Sequence, residues 1–211
     1  MNNLKGDSEL RIIGLTGGSG AGKSVASRLL LNRGGRLIDC DKVYAELVCA
    51  PSACTAALSR AFGESILQKN GALDRAKLAS VVFSDGGKAK LALLNSTVHP
   101  FVVDEVKSII DTYSSIGVPY VIIDAPQLFE ANAHTLCDCT VFVTADEEKR
   151  IARICERDGI DRERAIMRIR SQYPDEYFLE RCTYVLVNDS GEEELALRCE
   201  ELLDVLGIKK V

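Results

Sequence analysis

Residues 12–30 read IIGLTGGSGAGKSVASRLL. An apolar run, a glycine-rich turn and a helical pattern follow one another without a gap, as in a strand, a tight loop and the first turns of a helix. The turn, Gly17 to Ser24, fits G-x-x-x-x-G-K-[ST]. Gly17, Gly20 and Gly22 let backbone N–H groups face phosphate oxygens, and the helix N-terminus that follows favours negative charge. Lys23 is expected to reach the β- and γ-phosphates of a nucleoside triphosphate, and Ser24 to offer its hydroxyl to Mg²⁺. Gly18, Ser19, Gly20, Ala21, Gly22, Lys23, Ser24 and Val25 together make the expected nucleotide contact.

Outward from this loop, apolar runs alternate with helical periodicity. LRIIGL (10–15), RLID (36–39), YVIID (120–124), TVFVT (140–144) and YVLVN (184–188) read as buried strands. Continuous apolar character suits a parallel sheet covered on both faces. SVASRLLLNRGG, DEEKRIARICERDG and EEELALRCEELLDVLG read as helices closed by glycine. The alternation predicts a doubly wound α/β fold, a three-layer parallel sheet built as one domain. Within it, 10–41, 117–146 and 182–211 form a nucleotide-binding core. Residues 42–116 carry helical patterns and no strand signal, and read as a helical insertion. Residues 147–181, rich in arginine, read as a lid.

The chain has 211 residues, 46% hydrophobic and 27% charged, which is ordinary globular composition. A net charge of -5 argues against broad nucleic-acid binding. No apolar run approaches the ~18 residues of a membrane span, and MNNLKGDSEL lacks a hydrophobic signal region. A cytoplasmic protein, a monomer or a weak homo-oligomer, is expected, with its eight cysteines reduced. No C-x-x-C pair occurs. The best metal-like group, HTLCDC (134–139), lacks a four-ligand set, and Cys139 reads as a strand-edge residue.

The acids at strand ends carry the next signals. In LIDCDK, alternation along an extended chain sends Asp39 and Asp41 to the same side. Strand C-terminal ends face the ligand crevice of such a sheet, so one acid could accept a proton from an attacking hydroxyl while the other tunes it. A second reading has Asp41 capping the helix DKVYAELV. Asp124, ending the third strand in IIDAPQLFE, occupies the place of a Mg²⁺-associated acid, or bonds loop amides. Glu130 follows, as a site acid or a helix-start acid. His99, before Pro100, is either a packed histidine or a site residue. Arg150, Arg153 and Arg157 share one helical face, which is a solvated surface or a phosphate grip; Arg164, Arg168 and Arg170 add donors on the next helix. Asn188 ends the last strand, where an amide suits adenine contact or turn chemistry.

Taken in order, GLTGGSGAGKS, LIDCDK, NGALDRAKLASVVF, VHP, IDAPQLFE, RICERDG, RIRSQ and VLVND resemble the dephospho-coenzyme A kinase family over residues 12 to about 190. The phosphate loop is shared by many kinases; the D-x-D, HP and D-x-P-x-L-x-E segments are more specific. The resemblance implies a P-loop nucleotide-kinase fold with a helical substrate-binding insertion and a lid. It implies ATP, with Mg²⁺, phosphorylating the ribose 3′-hydroxyl of dephospho-coenzyme A. The family's catalytic acid matches Asp41, with Lys23 and Asp39 beside it, and its phosphate-contacting lid arginine matches Arg157. Arg75, His99, Pro126 and Leu128 fall on the acceptor side, Ser24 and Asp124 on the metal side, and Asn188 at the nucleotide. Val25 stands where threonine is usual, Gln127 where leucine is usual, and Arg150 where glutamine is frequent.

Other readings differ in specific residues. Shikimate kinases also carry a D-x-D after the phosphate loop but lack the HP and D-x-P-x-L-x-E segments. A nucleoside or nucleotide kinase is the nearest alternative enzyme. A nucleotide-binding switch is the alternative from another class; a GTPase would carry N-K-x-D, which this sequence lacks.

Overall fold

The computed structural model describes residues 10–84 and 87–210. Its five strands are β1 (Arg11–Gly17), β2 (Arg36–Asp39), β3 (Tyr120–Asp124), β4 (Cys139–Thr144) and β5 (Tyr184–Val187). All pair in parallel, in the order β2-β3-β1-β4-β5. The expected doubly wound sheet is therefore present, and β1 lies at its centre. β1 runs beyond the apolar run that marks it, because Thr16 and Gly17 still pair with Phe142 and Val143 of β4.

Strand alternation divides the core into two layers. Ile13 and Leu15 of β1, and Tyr120 and Ile122 of β3, pack with Ala26 and Leu30, and with Leu195, Leu202 and Leu203. These partners come from α1 (Lys23–Leu29) with the turn after it, and from the last helix, Glu192–Val205. Val121 and Ile123 face the other way and pack with residues between β2 and β3. That stretch makes α2 (Cys40–Val48), α3 (Ala53–Phe62), α4 (Arg75–Val82) and α5 (Gly87–Ser115). One antiparallel bridge, Leu67 to Leu73, closes a turn within it. Pro100 lies inside α5, where its ring withholds one backbone donor. Val98, Val102 and Val106 hold α5 on the core side.

Between β4 and β5 the chain forms α6 (Glu147–Asp158), α7 (Arg162–Arg170) and the short α8 (Asp175–Leu179); α9 is Glu192–Val205. Asp146 caps α6, and Gly159 closes it in the left-handed region at φ 64°. Arg33, 2% exposed, fastens α9 to the turn after α1 through Glu200 at 2.5 Å and Asp204 at 2.6 Å. Among the described residues no helix is long and apolar enough to cross a membrane.

Candidate active site

The strand-to-helix turn after β1 builds the centre of the site. Gly20 (φ 77°) and Gly22 (φ 93°) take left-handed backbone angles that side chains resist, and α1 begins at once with Lys23. First-turn amides of a helix have no carbonyl before them to bond, which suits them to an anion. The Lys23 ammonium forms an ion pair with the Asp124 carboxylate, at the end of the neighbouring strand. Ser24 is exposed beside it. Val25 is half-buried; its N–H donates to the Gly22 carbonyl at 3.0 Å, and its side chain packs on the first core layer.

Asp39 and Asp41 do different things. Asp39 caps α2: one carboxylate oxygen accepts the N–H groups of Asp41 and Lys42, each at 3.1 Å. The capping that sequence reading weighed for Asp41 thus belongs to Asp39. Asp41 instead opens onto a cavity of about 660 Å³. Its carboxyl is pushed above the ordinary aspartate range by desolvation; Lys23 opposes the shift, and the charges of Asp39 and Asp124 add to it.

The cavity runs from Gly17 and Gly18 of the loop, past Asp41 and Tyr44 of α2, to Val98, His99 and Val102 of α5. Its other wall comes from Pro126, Gln127 and Glu130 after β3, and from Ser171 to Pro174 before α8. His99 Nε2 and Gln127 Oε1 are hydrogen-bonded at 3.1 Å. Glu130 faces the cavity with a buried carboxylate oxygen that has no hydrogen-bond partner among the described residues. Leu128 departs from its expected place on the acceptor side: it is fully buried in the second core layer, packed under Gly14 of β1. Arg75 lies outside the lining of this cavity. Its guanidinium sits 5.6 Å from the centre of the Tyr44 ring, in reach of a cation–π contact, and it lines a smaller hollow beside α2.

The arginine-rich segment touches the loop through residues other than Arg157. Arg150 donates from Nε to the Ser19 carbonyl at 3.1 Å, and Arg153 from Nη1 to the Gly20 carbonyl at 3.3 Å. Arg153 also donates to the Asn188 carbonyl at 2.9 Å. Arg157 is exposed and bidentate on its neighbour Asp158, at 2.8 and 2.9 Å, where Arg168 joins it. Asn188 is buried, and its amide donates to the Ala21 carbonyl at 2.9 Å. It supports the loop from beneath. Gln172, from the segment after α7, accepts the Ser19 N–H at 2.9 Å. Sequence reading placed Gln172 only as the last residue of the RIRSQ motif and gave it no role, because its partner lies 153 residues away.

The family model for dephospho-CoA kinase matches residues 11–194. A dephospho-CoA kinase of Carboxydothermus hydrogenoformans is 36% identical over 197 residues, covering 93% of each chain. Among solved structures, TT1252 from Thermus thermophilus is 33% identical with a TM-score of 0.74, covering 94% of this chain and 98% of that one. Dephospho-CoA kinase from Campylobacter jejuni shares the fold at 18% identity and a TM-score of 0.60, covering 93% of this chain and 97% of that one. With a phosphate loop, strand-end acids and helical insertion in their expected order, this chain belongs to the dephospho-CoA kinase family.

Proposed function

We propose that the protein transfers the γ-phosphoryl group of ATP to the ribose 3′-hydroxyl of dephospho-coenzyme A, giving coenzyme A and ADP, the last step of coenzyme A synthesis. The observation that carries this reading is continuity: one cavity joins the phosphate loop to Asp41 and to the helical insertion. Its volume of about 660 Å³ falls within the range of small-molecule sites, roughly 300–1,000 Å³.

Within that cavity Asp41 takes the proton of the attacking hydroxyl. A carboxylate whose proton affinity is raised is a better base than an ordinary one. Asp39, already spent on the α2 cap, holds the turn that presents Asp41. Lys23 exchanges Asp124 for the transferring phosphate oxygens, and Arg157 leaves Asp158 to add positive charge from the lid, residues 147–181. Asn188 and Val25 hold the loop that grips the nucleotide. On the acceptor side Pro126 and His99 line the wall, and Arg75 braces Tyr44.

The oxygen donors near the loop fit Mg²⁺. Ser24 offers a hydroxyl and Asp124 a carboxylate, both hard ligands at the same end of the sheet. When bound, the ion would neutralise phosphate charge. We also place the protein in the cytoplasm, as a monomer or weak homo-oligomer. Its eight cysteines, with no C-x-x-C pair among them, suit a reducing compartment. Phosphorus NMR of the reaction product tests the assignment: phosphate on the ribose 3′ oxygen supports it, and phosphate at any other position contradicts it.

A further inference from the structure

We propose that Gln172 couples the two substrate sites, so that an acceptor in the cavity tightens the phosphate loop for the triphosphate. The inference rests on the assignment of the cavity to the acceptor.

Ser19 is fastened at both of its backbone polar groups. Its N–H donates to Gln172 Oε1 at 2.9 Å, and its carbonyl accepts Arg150 Nε at 3.1 Å. Arg150 is itself fixed: it is 5% exposed, and Nη1 donates to Asp175 Oδ1 at 2.9 Å. The other Asp175 oxygen accepts the Thr144 hydroxyl at the end of β4. Of Ser19, Gln172, Arg150, Asp175 and Thr144, only Gln172 also lines the cavity. The rigid side of the clamp is therefore outside the cavity lining, and the half-buried Gln172 is in the acceptor's path.

The chemistry of the amide makes this a two-sided contact. Only the carbonyl oxygen of Gln172 can accept the Ser19 N–H, so the NH₂ group is what remains to offer a hydroxyl, carbonyl or phosphate oxygen of the acceptor. A ligand that immobilises this side chain also immobilises Ser19. The triphosphate then binds a loop that has already lost part of its freedom, and linkage makes the effect reciprocal. Gln172 touches the loop rather than the reacting atoms, so it is a positioning residue.

Calorimetric titration of a non-hydrolysable ATP analogue with Mg²⁺, with and without saturating dephospho-coenzyme A, tests the coupling. The wild-type Kd for the analogue should tighten about fivefold or more when the acceptor is present, the lower end of typical coupling. Gln172→Met, of similar length but with no oxygen for Ser19, should reduce that tightening below about twofold. Gln172→Glu, which keeps an oxygen for Ser19 but has no NH₂ to offer the acceptor, should also lose most of the tightening while leaving the affinity for the analogue alone closer to wild type than Met does. Equal tightening in wild type and Gln172→Met, or none in a wild type that binds both ligands, would overturn the proposal. A wild type that does not bind dephospho-coenzyme A at all would overturn the acceptor assignment beneath it.

Discussion

Lys23 and Asp124 meet as an ion pair although 101 residues separate them in the chain. Parallel pairing sets Asp124 opposite Leu15, and the glycine turn carries the chain from β1 round to Lys23. Both side chains are largely shielded, at 16% and 10% exposure. The pair holds the lysine at the loop; in the proposed reaction it would exchange that carboxylate for phosphate.

Lys23→Ala should therefore lower kcat about 10²–10³-fold, or about 3–4 kcal/mol of transition-state stabilisation. It also leaves Asp124 shielded without its cation. Thermal unfolding without nucleotide should show a lower Tm for Lys23→Ala than for the double variant Lys23→Ala, Asp124→Asn, because an unpaired shielded charge costs more than a neutral amide. Near-normal kcat in Lys23→Ala would remove the loop from the chemistry.

Asp41→Asn should slow single-turnover chemistry about 10²–10⁴-fold with pre-bound ATP, since an amide keeps the shape but does not accept the proton. The same change should raise Tm at neutral pH. Folding raises the Asp41 pKa, so the charged form opposes folding. The gain is full above the folded-state pKa, fades as pH falls from there toward the ordinary aspartate value of about 3.9, and is gone below it. In the wild type, kcat/KM should fall on the acid side with a midpoint above that ordinary value. An inactive Asp39→Asn beside an active Asp41→Asn would move the base to Asp39.

Arg153 and Arg157 should separate in their effects. Arg153 ties the Gly20 carbonyl of the loop to the Asn188 carbonyl after β5, so Arg153→Ala should lower Tm and raise the KM for ATP. Arg157 is exposed on Asp158, so Arg157→Ala should leave Tm nearly unchanged and, under the proposed lid role, reduce kcat by about tenfold or more. Unchanged kcat in Arg157→Ala would leave it a surface ion pair.

Tyr120 tests the layer beneath the site. It is fully buried; its hydroxyl donates to the Leu30 carbonyl at 2.6 Å and accepts the Arg33 N–H at 3.3 Å. Tyr120→Phe should cost about 1–3 kcal/mol in urea unfolding by leaving those groups unpaired, with little change in kcat.

The sheet was legible because burial on both faces writes itself as apolar runs. RLID and YVIID coincide with β2 and β3 residue for residue. β4 starts one residue earlier, at Cys139, where the small thiol is buried like its neighbours. The phosphate loop was legible because its glycines meet a backbone requirement at Gly20 and Gly22. What was hidden depends on contacts over long separations. Asp39 and Asp41 are the same residue type two positions apart, and only the geometry of the α2 start gives the cap to Asp39. Leu128 sits among motif residues that line the cavity, yet the turn after β3 points it into the core. The contacts of Arg150, Arg153 and Gln172 with the loop span 131, 133 and 153 residues, and periodicity carries no information at that range.

The most direct measurement is a coupled ADP-release assay across a panel of hydroxyl acceptors. The cavity beside Asp41 should make dephospho-coenzyme A the preferred acceptor, with kcat/KM exceeding those of adenosine, nucleoside monophosphates and shikimate by about 10³, equivalent to about 4 kcal/mol of differential transition-state binding. A nucleoside monophosphate or shikimate phosphorylated with comparable efficiency would contradict the account.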